Sequence, residues 1–166
     1  FQINYSVKAN SNLSILSLLK NEGAGFDIVS AGELSRVLAI GGDPKTVVFS
    51  GVGKSIEEID YSLKNNIGCF NVESVSELNR IVDRAQILNK CAPVSIRVNP
   101  NINPNTHPYI STGLKENKFG VSIEESFQLF DIAHKSEHTD IKGVDCHIGS
   151  QISSIAPLSQ AVTSLC

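Results

Sequence analysis

The sequence predicts an α/β fold in which short parallel strands alternate with helices. Six short runs rich in β-branched and aromatic residues recur along the 166 residues, as is typical of strands. Segments with helical periodicity lie between them, and a Ser-x-x-Glu capping signal opens four of these segments. Alternating strand and helix units imply parallel strands joined by crossover helices.

The elements follow one another at fairly regular spacing. The predicted strands cover residues 3–7, 26–29, 47–49, 69–72, 94–98 and 141–146. Leu13, Leu16 and Leu19 give the first intervening segment a helical repeat. The capping signals begin at Ser30, Ser55, Ser74 and Ser122. The interval between the fifth and sixth strands is the longest, because an insertion rich in Asn, Pro and Gly covers residues 99–122.

Polar residues in the strands distinguish two possible architectures, an open doubly wound sheet and a barrel. Asp27 alternates with Phe26 and Ile28, and Asn71 alternates with Phe70, so most of the strands have one apolar face and one face that becomes polar toward the C-terminal end. A doubly wound sheet buries both faces under helices, and its strands are apolar throughout. A barrel with a polar site at its C-terminal mouth explains the alternation. We therefore predict part of a (β/α)8 TIM barrel, about six of its eight βα units.

Composition excludes several classes of protein. The formal net charge is −3, so there is no basic surface for nucleic acid. No apolar run approaches the roughly 20 residues of a membrane span. The four cysteines include no C-x-x-C pair, which favours a reduced, cytoplasmic setting. The chain lacks Met and opens in a strand-like run, so we expect residues 1–166 to be a fragment of one barrel domain.

Three residues at strand ends are candidates for chemistry. Lys8 ends the first strand on its polar face, and a buried amine there is costly unless it is used, for example as a Schiff-base nucleophile. The alternative is that Lys8 simply reaches solvent. His147 ends the sixth strand and suits ring stacking or proton transfer, or it is a structural histidine bonded to Asp145. Ser150, after Gly149, suits an anion or forms a plain turn.

Three other sequence features give weaker evidence of a functional site. His107 lies in the long insertion, which is locally basic and suits a ligand with a carboxylate. Residues 51–55 resemble a phosphate-binding loop, but Val48 stands where that motif needs Gly, so the motif fails. His134 and His138 are four residues apart without a visible third ligand, and we predict no metal site.

Several segments in order resemble a known family. They are Tyr5-Ser-Val-Lys-Ala-Asn10, Phe26-Asp-Ile-Val-Ser30, Phe70-Asn-Val-Glu-Ser74, Ile96-Arg-Val-Asn-Pro100 and Cys146-His-Ile-Gly-Ser-Gln151. Together with the loop at 107–120, they resemble the pyridoxal 5'-phosphate (PLP)-dependent decarboxylases with an alanine-racemase-type barrel. Within that family, the resemblance is to the branch that acts on diaminopimelate.

The resemblance implies roles for five residues. Lys8 would hold PLP covalently, and His147 would stack on its pyridine ring. Ser150 would contact the cofactor phosphate. Asp27 and Arg97 would belong to the shell around Lys8 and the ring. The resemblance further implies a C-terminal β-domain, which this sequence does not include, and a homodimer that shares its active sites.

The function implied by the resemblance is that of an enzyme fragment. The whole enzyme would convert meso-2,6-diaminopimelate to L-lysine and CO2, whereas the fragment alone is expected to be inactive. Two alternatives remain open. One is a related PLP-dependent decarboxylase or racemase with another substrate, and the other is a PLP-carrying barrel without enzymatic activity.

Overall fold

The computed structural model describes residues 1–102, 119–150 and 152–165. Within these ranges, strands alternate with α-helices. The strands are β1 Asn4–Ser6, β2 Gly25–Ile28, β3 Val47–Phe49, β4 Cys69–Val72, β5 Ala92–Arg97 and β6 Thr139–Asp145. The helices are α1 Leu13–Asn21, α2 Ala31–Ala39, α3 Ile56–Lys64, α4 Val75–Ile87, α5 Ile123–Lys135 and α6 Ala156–Leu165. Every predicted strand is therefore present, within two residues of its expected bounds.

The sheet is parallel, and its spatial order is the order of the chain. Strand β1 pairs with β2, and each later strand pairs with the next as far as β6. A doubly wound sheet would reverse direction at a switch point. Steady progression of βα units around a sheet is instead the topology of a barrel, with β1 and β6 here at the two edges. The prediction of a partial barrel is confirmed.

The core lies between the sheet and its helices. The strand residues on the helix-facing side are apolar and fully buried, as with Phe26, Phe49 and Phe70. They pack with buried helix residues such as Leu34 and Leu78 in one continuous cluster. The opposite face of the sheet has polar side chains in β1, β2, β4 and β5, where the predicted alternation holds, whereas β3 has the apolar Val48 on that face.

Strand β6 departs from this alternation. Ile141 and Val144 are exposed at 36% and 43%, because β6 is an edge strand and no further strand covers it within the described residues. The pairing of β5 with β6 shifts register between Val94 and Ser95, opposite Gly143. Gly143 has a φ of 150°, a conformation that other residues rarely adopt.

The helix starts confirm the capping signals only in part. Full capping boxes, with reciprocal hydrogen bonds, form at Ser55 and Ser122. At Ser30 and Ser74 the serine accepts the expected amide, but the glutamate bonds elsewhere. Glu33 accepts from the amide of Val29 at 2.7 Å. The capping box predicted at Ser30 is therefore only half formed.

Candidate active site

A polar cavity opens at the C-terminal ends of the strands, on the face away from the helices. Its volume is about 510 Å³. Four of the five residues predicted for the site line it, namely Lys8, Asp27, Arg97 and His147. They come from the ends of β1, β2, β5 and β6, which the parallel topology brings to one edge of the sheet. Sequence positions up to 139 residues apart thereby contribute to one site.

Lys8 lies one step beyond its predicted strand. The strand stops at Ser6, and residues Val7–Ala9 form a short 3-10 turn. Val7 is fully buried in the core and anchors this turn, whereas Lys8 is exposed at the cavity. The expectation of a buried amine was wrong, because the turn lifts the side chain to the mouth of the cavity. Its amine is therefore accessible to a ligand.

Asp27 is held by a row of hydrogen bonds that crosses four strands. Ser6 donates its hydroxyl to one carboxylate oxygen at 3.1 Å, and Ser50 donates to the other at 2.5 Å. The amide of Asn71 donates to the Ser50 hydroxyl at 3.1 Å. Both oxygens of Asp27 thus have fixed donors, which hold the carboxylate in one orientation at the cavity wall.

Arg97 lies between two carboxylates on the opposite side of the cavity. Its Nη1 donates to Glu73 at 2.8 Å, and its Nε is 3.6 Å from Asp145. The guanidinium also lies over the ring of Phe119, 5.4 Å from the centroid. Burial raises the pKa of Asp145, the charge of Arg97 opposes this rise, and neighbouring carboxylates add to it.

His147 is an imidazole that is neutral at neutral pH. Partial desolvation is the main cause that lowers its pKa, and the positive charges of Arg97 and Lys8 act in the same direction. Asp27 opposes them. An uncharged planar ring suits stacking on another ring better than a solvated cation does. Two thiols also line the cavity, and burial raises the pKa of Cys69 to about 12 and raises that of Cys146.

The other sequence candidates are not brought to this cavity. Ser150 is exposed and is not among the lining residues, so its phosphate contact stays a prediction. His107 lies outside the described residues. The described ranges contain no cluster of three His, Cys, Asp or Glu side chains that suits a metal ion. None of the described helices is long and apolar enough to cross a membrane.

The glycine-rich turn at residues 51–55 holds a buried cation. Lys54 is only 3% exposed. Its amine donates to the main-chain oxygens of Gly51 and Asn71, both at 2.7 Å, and pairs with Glu77 at 2.8 Å. These acceptors satisfy the amine within the protein, which agrees with the failure of the phosphate-loop motif.

Sequence reasoning missed Glu73 and Ser50. Both directly follow a strand, Glu73 after β4 and Ser50 after β3. That position was itself a usable signal, because the carboxyl ends of barrel strands surround the site. The hydrogen-bond partners of these two side chains lie more than 20 residues away in sequence, and no local pattern reveals them.

Comparison with known proteins identifies the family of the chain. The family model described as "Pyridoxal-dependent decarboxylase, pyridoxal binding domain" matches residues 1–166. A diaminopimelate decarboxylase of Vibrio cholerae is 53% identical over 97% of this chain and 39% of its own length. A diaminopimelate decarboxylase of Pseudomonas aeruginosa is 54% identical, also over 97% of this chain and 39% of its own length. The chain thus spans about 39% of the length of these relatives.

A solved structure agrees in fold. The crystal structure of a diaminopimelate decarboxylase variant from Helicobacter pylori, complexed with L-lysine, superposes with a TM-score of 0.96. The two sequences are 51% identical, and the match covers 99% of the present chain and 42% of the Helicobacter pylori chain. The resemblance in the strand-end motifs is confirmed over the whole chain. Residues 1–166 belong to the pyridoxal-binding domain of the pyridoxal-dependent decarboxylase family.

Proposed function

We propose that the full-length protein is a PLP-dependent decarboxylase that converts meso-2,6-diaminopimelate to L-lysine and CO2. Relatives that carry the name of this activity share more than half of their aligned residues with the chain. A lysine complex is known for a close structural neighbour. The observation that carries the proposal is the cavity that gathers Lys8, Asp27, Arg97 and His147.

The residues of the cavity fit PLP. Its volume of about 510 Å³ lies within the roughly 300–1,000 Å³ usual for ligand sites. Lys8 supplies an accessible amine for an aldehyde, and His147 a planar, neutral ring for an aromatic ligand. Asp27 and Arg97 supply fixed charges of opposite sign. These groups suit an aromatic aldehyde that also has polar substituents.

Each residue then has a defined task. Lys8 would hold the cofactor covalently through Nζ, while His147 covers one face of the ring. Asp27 and Arg97 would orient it from two sides, and Ser150 would contact its phosphate. When bound, PLP supplies a conjugated ring that accepts the electron pair released as CO2 leaves. The charges held in place around the cavity need no rearrangement during the reaction, which is the usual source of electrostatic catalysis.

The proposal extends to the organisation of the protein. Residues 1–166 would form about six βα units of the PLP-binding barrel domain, followed by a C-terminal β-domain. The full-length protein would be a cytoplasmic homodimer that shares its active sites. These expectations are supported by the family resemblance, and sedimentation of the full-length protein tests the dimer.

The test is an activity assay with a matched pair of lysine variants. Full-length protein with PLP is supplied with meso-diaminopimelate, and L-lysine and CO2 are measured together. Lys8→Ala is expected to reduce activity at least about a thousandfold, since the covalent attachment is lost. Lys45→Ala is the control, because Lys45 is also an exposed lysine in a 3-10 turn but lies before β3, at the other end of the sheet.

The remaining outcomes separate the alternatives. Racemisation, or decarboxylation of another amino acid in place of meso-diaminopimelate, would identify a related enzyme with a different substrate. Retention of PLP without turnover of any amino acid would identify a cofactor carrier. Equal activity of Lys8→Ala and the unmodified protein would refute the assignment of the site.

A further inference from the structure

Glu73 joins four segments at the edge of the cavity. It directly follows β4 and is only 7% exposed. Its carboxylate accepts from Arg97 Nη1 at 2.8 Å, from the amide of Gly51 at 3.1 Å and from the amide of Gly120 at 3.3 Å. Arg97 ends β5, Gly51 lies just after β3, and Gly120 lies shortly before α5. One buried carboxylate therefore fixes the ends of several loops relative to one another.

The arginine that Glu73 holds faces the cavity. Arg97 has a side-chain exposure of 12%, and Glu73 one of 3%. The other groups around the guanidinium are Asp145, with an oxygen 3.6 Å from Nε, and the ring of Phe119. The contact with Glu73 is the shorter of the two ion-pair contacts, so it chiefly determines where the guanidinium points.

Glu73 is itself held rigidly. Its amide donates to Glu77 at 2.6 Å, and the other oxygen of Glu77 pairs with the buried amine of Lys54. The turn between β4 and α4 is thus clamped from both sides. A carboxylate on such a turn is well placed to orient another side chain.

We propose that Glu73 is a positioning residue that orients Arg97 for PLP binding. The inference rests on the proposed function and extends it to a residue outside the cavity lining. Glu73 does not line the cavity, so it acts through Arg97. A reduced charge or a shortened reach at position 73 would leave the guanidinium free to turn toward Asp145.

Glutamine does not replace this carboxylate. One oxygen of Glu73 accepts from both Gly51 and Arg97, and the other accepts from Gly120. A glutamine amide has one oxygen and one NH2 group. Whichever way it is turned, its NH2 group opposes at least one N–H donor. Glu73→Gln therefore breaks part of the arrangement without adding bulk.

Glu58 offers a matched control. Its two oxygens accept from the amides of Ala31 and Ser55, at 3.0 and 3.1 Å. It thus links two loops as Glu73 does, and Glu58→Gln creates the same donor conflict. Unlike Glu73, Glu58 has no contact with a residue that lines the cavity among its hydrogen bonds in the described structure. A purely structural role predicts similar behaviour for the two variants.

The experiment measures PLP binding by equilibrium dialysis of full-length apo-protein. Glu73→Gln is expected to raise the Kd for PLP about tenfold, and Glu58→Gln less than about twofold. In an Arg97→Ala background, Glu73→Gln should add less than about twofold, because residues that act through each other are not additive. Independently of PLP, amide exchange at Gly51 and Gly120 should become faster in Glu73→Gln.

The outcomes separate this inference from the proposed function. If wild-type protein binds no PLP, the proposed function fails and this inference fails with it. If wild-type protein binds PLP while Glu73→Gln and Glu58→Gln have equal Kd values, the inference alone is overturned. An undiminished effect in the Arg97→Ala background overturns it as well. Should Glu73→Gln not fold, Glu73→Asp retains the charge with a shorter reach, and an unchanged Kd for that variant overturns the inference.

Discussion

Replacing Lys54 by Met tests the buried ion pair beneath the site. The substitution keeps an unbranched side chain, shorter by one heavy atom, and removes the charge that Glu77 compensates. The side chains of Lys54 and Glu77 are only 1% and 6% exposed. Removing one partner of such a pair costs roughly 3–5 kcal/mol, because a buried charge is left uncompensated. The main-chain oxygens of Gly51 and Asn71 also lose their donor.

We therefore expect Lys54→Met to lower the free energy of unfolding by about 4 kcal/mol. Urea unfolding of the full-length protein, followed by circular dichroism, measures this loss. Lys135→Met is the control, since Lys135 pairs with Asp131 on the surface, where the side chains are 71% and 58% exposed. An exposed pair of this kind contributes at most about 0.5 kcal/mol. Adding Glu77→Gln to Lys54→Met should recover part of the loss, because Gln retains an acceptor for the amide of Glu73 without the unpaired charge.

Equal losses of stability for Lys54→Met and Lys135→Met would contradict this expectation. They would show that the buried contacts of Lys54 contribute no more than a surface pair. A double variant that is less stable than Lys54→Met alone would also contradict it, since the uncompensated charge of Glu77 would then not be the cause.

Two further predictions concern a surface ion pair and the cysteines. Arg84 donates twice to Asp60, at 2.7 Å each, and this lowers the pKa of Asp60. The stabilisation is therefore present at pH 7 and is lost as the pH falls through the lowered pKa. Asp60→Asn should lower the free energy of unfolding by about 1 kcal/mol at neutral pH, and by progressively less below pH 3.8. A loss of stability that does not change with pH in urea unfolding would contradict this prediction. With iodoacetamide at about pH 8, exposed Cys91 should react before buried Cys69. Burial raises the pKa of Cys69 to about 12, and the thiolate is the reactive form. Equal labelling of the two cysteines by mass spectrometry would contradict this prediction.

Most of the fold was predictable because its signals are local. β-branched and aromatic runs mark the strands, and the alternation of Asp27 with Phe26 and Ile28 marks the polar face. Alternation along single strands also favoured a barrel, and the strand order confirms it. At β6 the same reasoning was less successful, because an edge strand has no neighbour to bury one of its faces.

The site was predictable only where a residue is itself unusual. Lys8 and His147 stand at strand ends and belong to recognisable motifs. Their environment was not predictable, because it depends on contacts between distant segments. Glu73 reads as one acidic residue before a capping serine, and only the folded chain brings Arg97 and Gly120 to it. Similarly, Glu77 matches a capping box in sequence, but the buried amine of Lys54 draws its carboxylate away from Ser74.

Borohydride reduction of the full-length protein with PLP identifies the lysine that holds the cofactor, which we propose is Lys8. Reduction makes the link between cofactor and lysine permanent, and peptide mapping by mass spectrometry then locates it. We predict a pyridoxyl group on Lys8 and none on Lys45. A pyridoxyl group on any other lysine, with Lys8 unmodified, would show that Lys8 does not hold PLP.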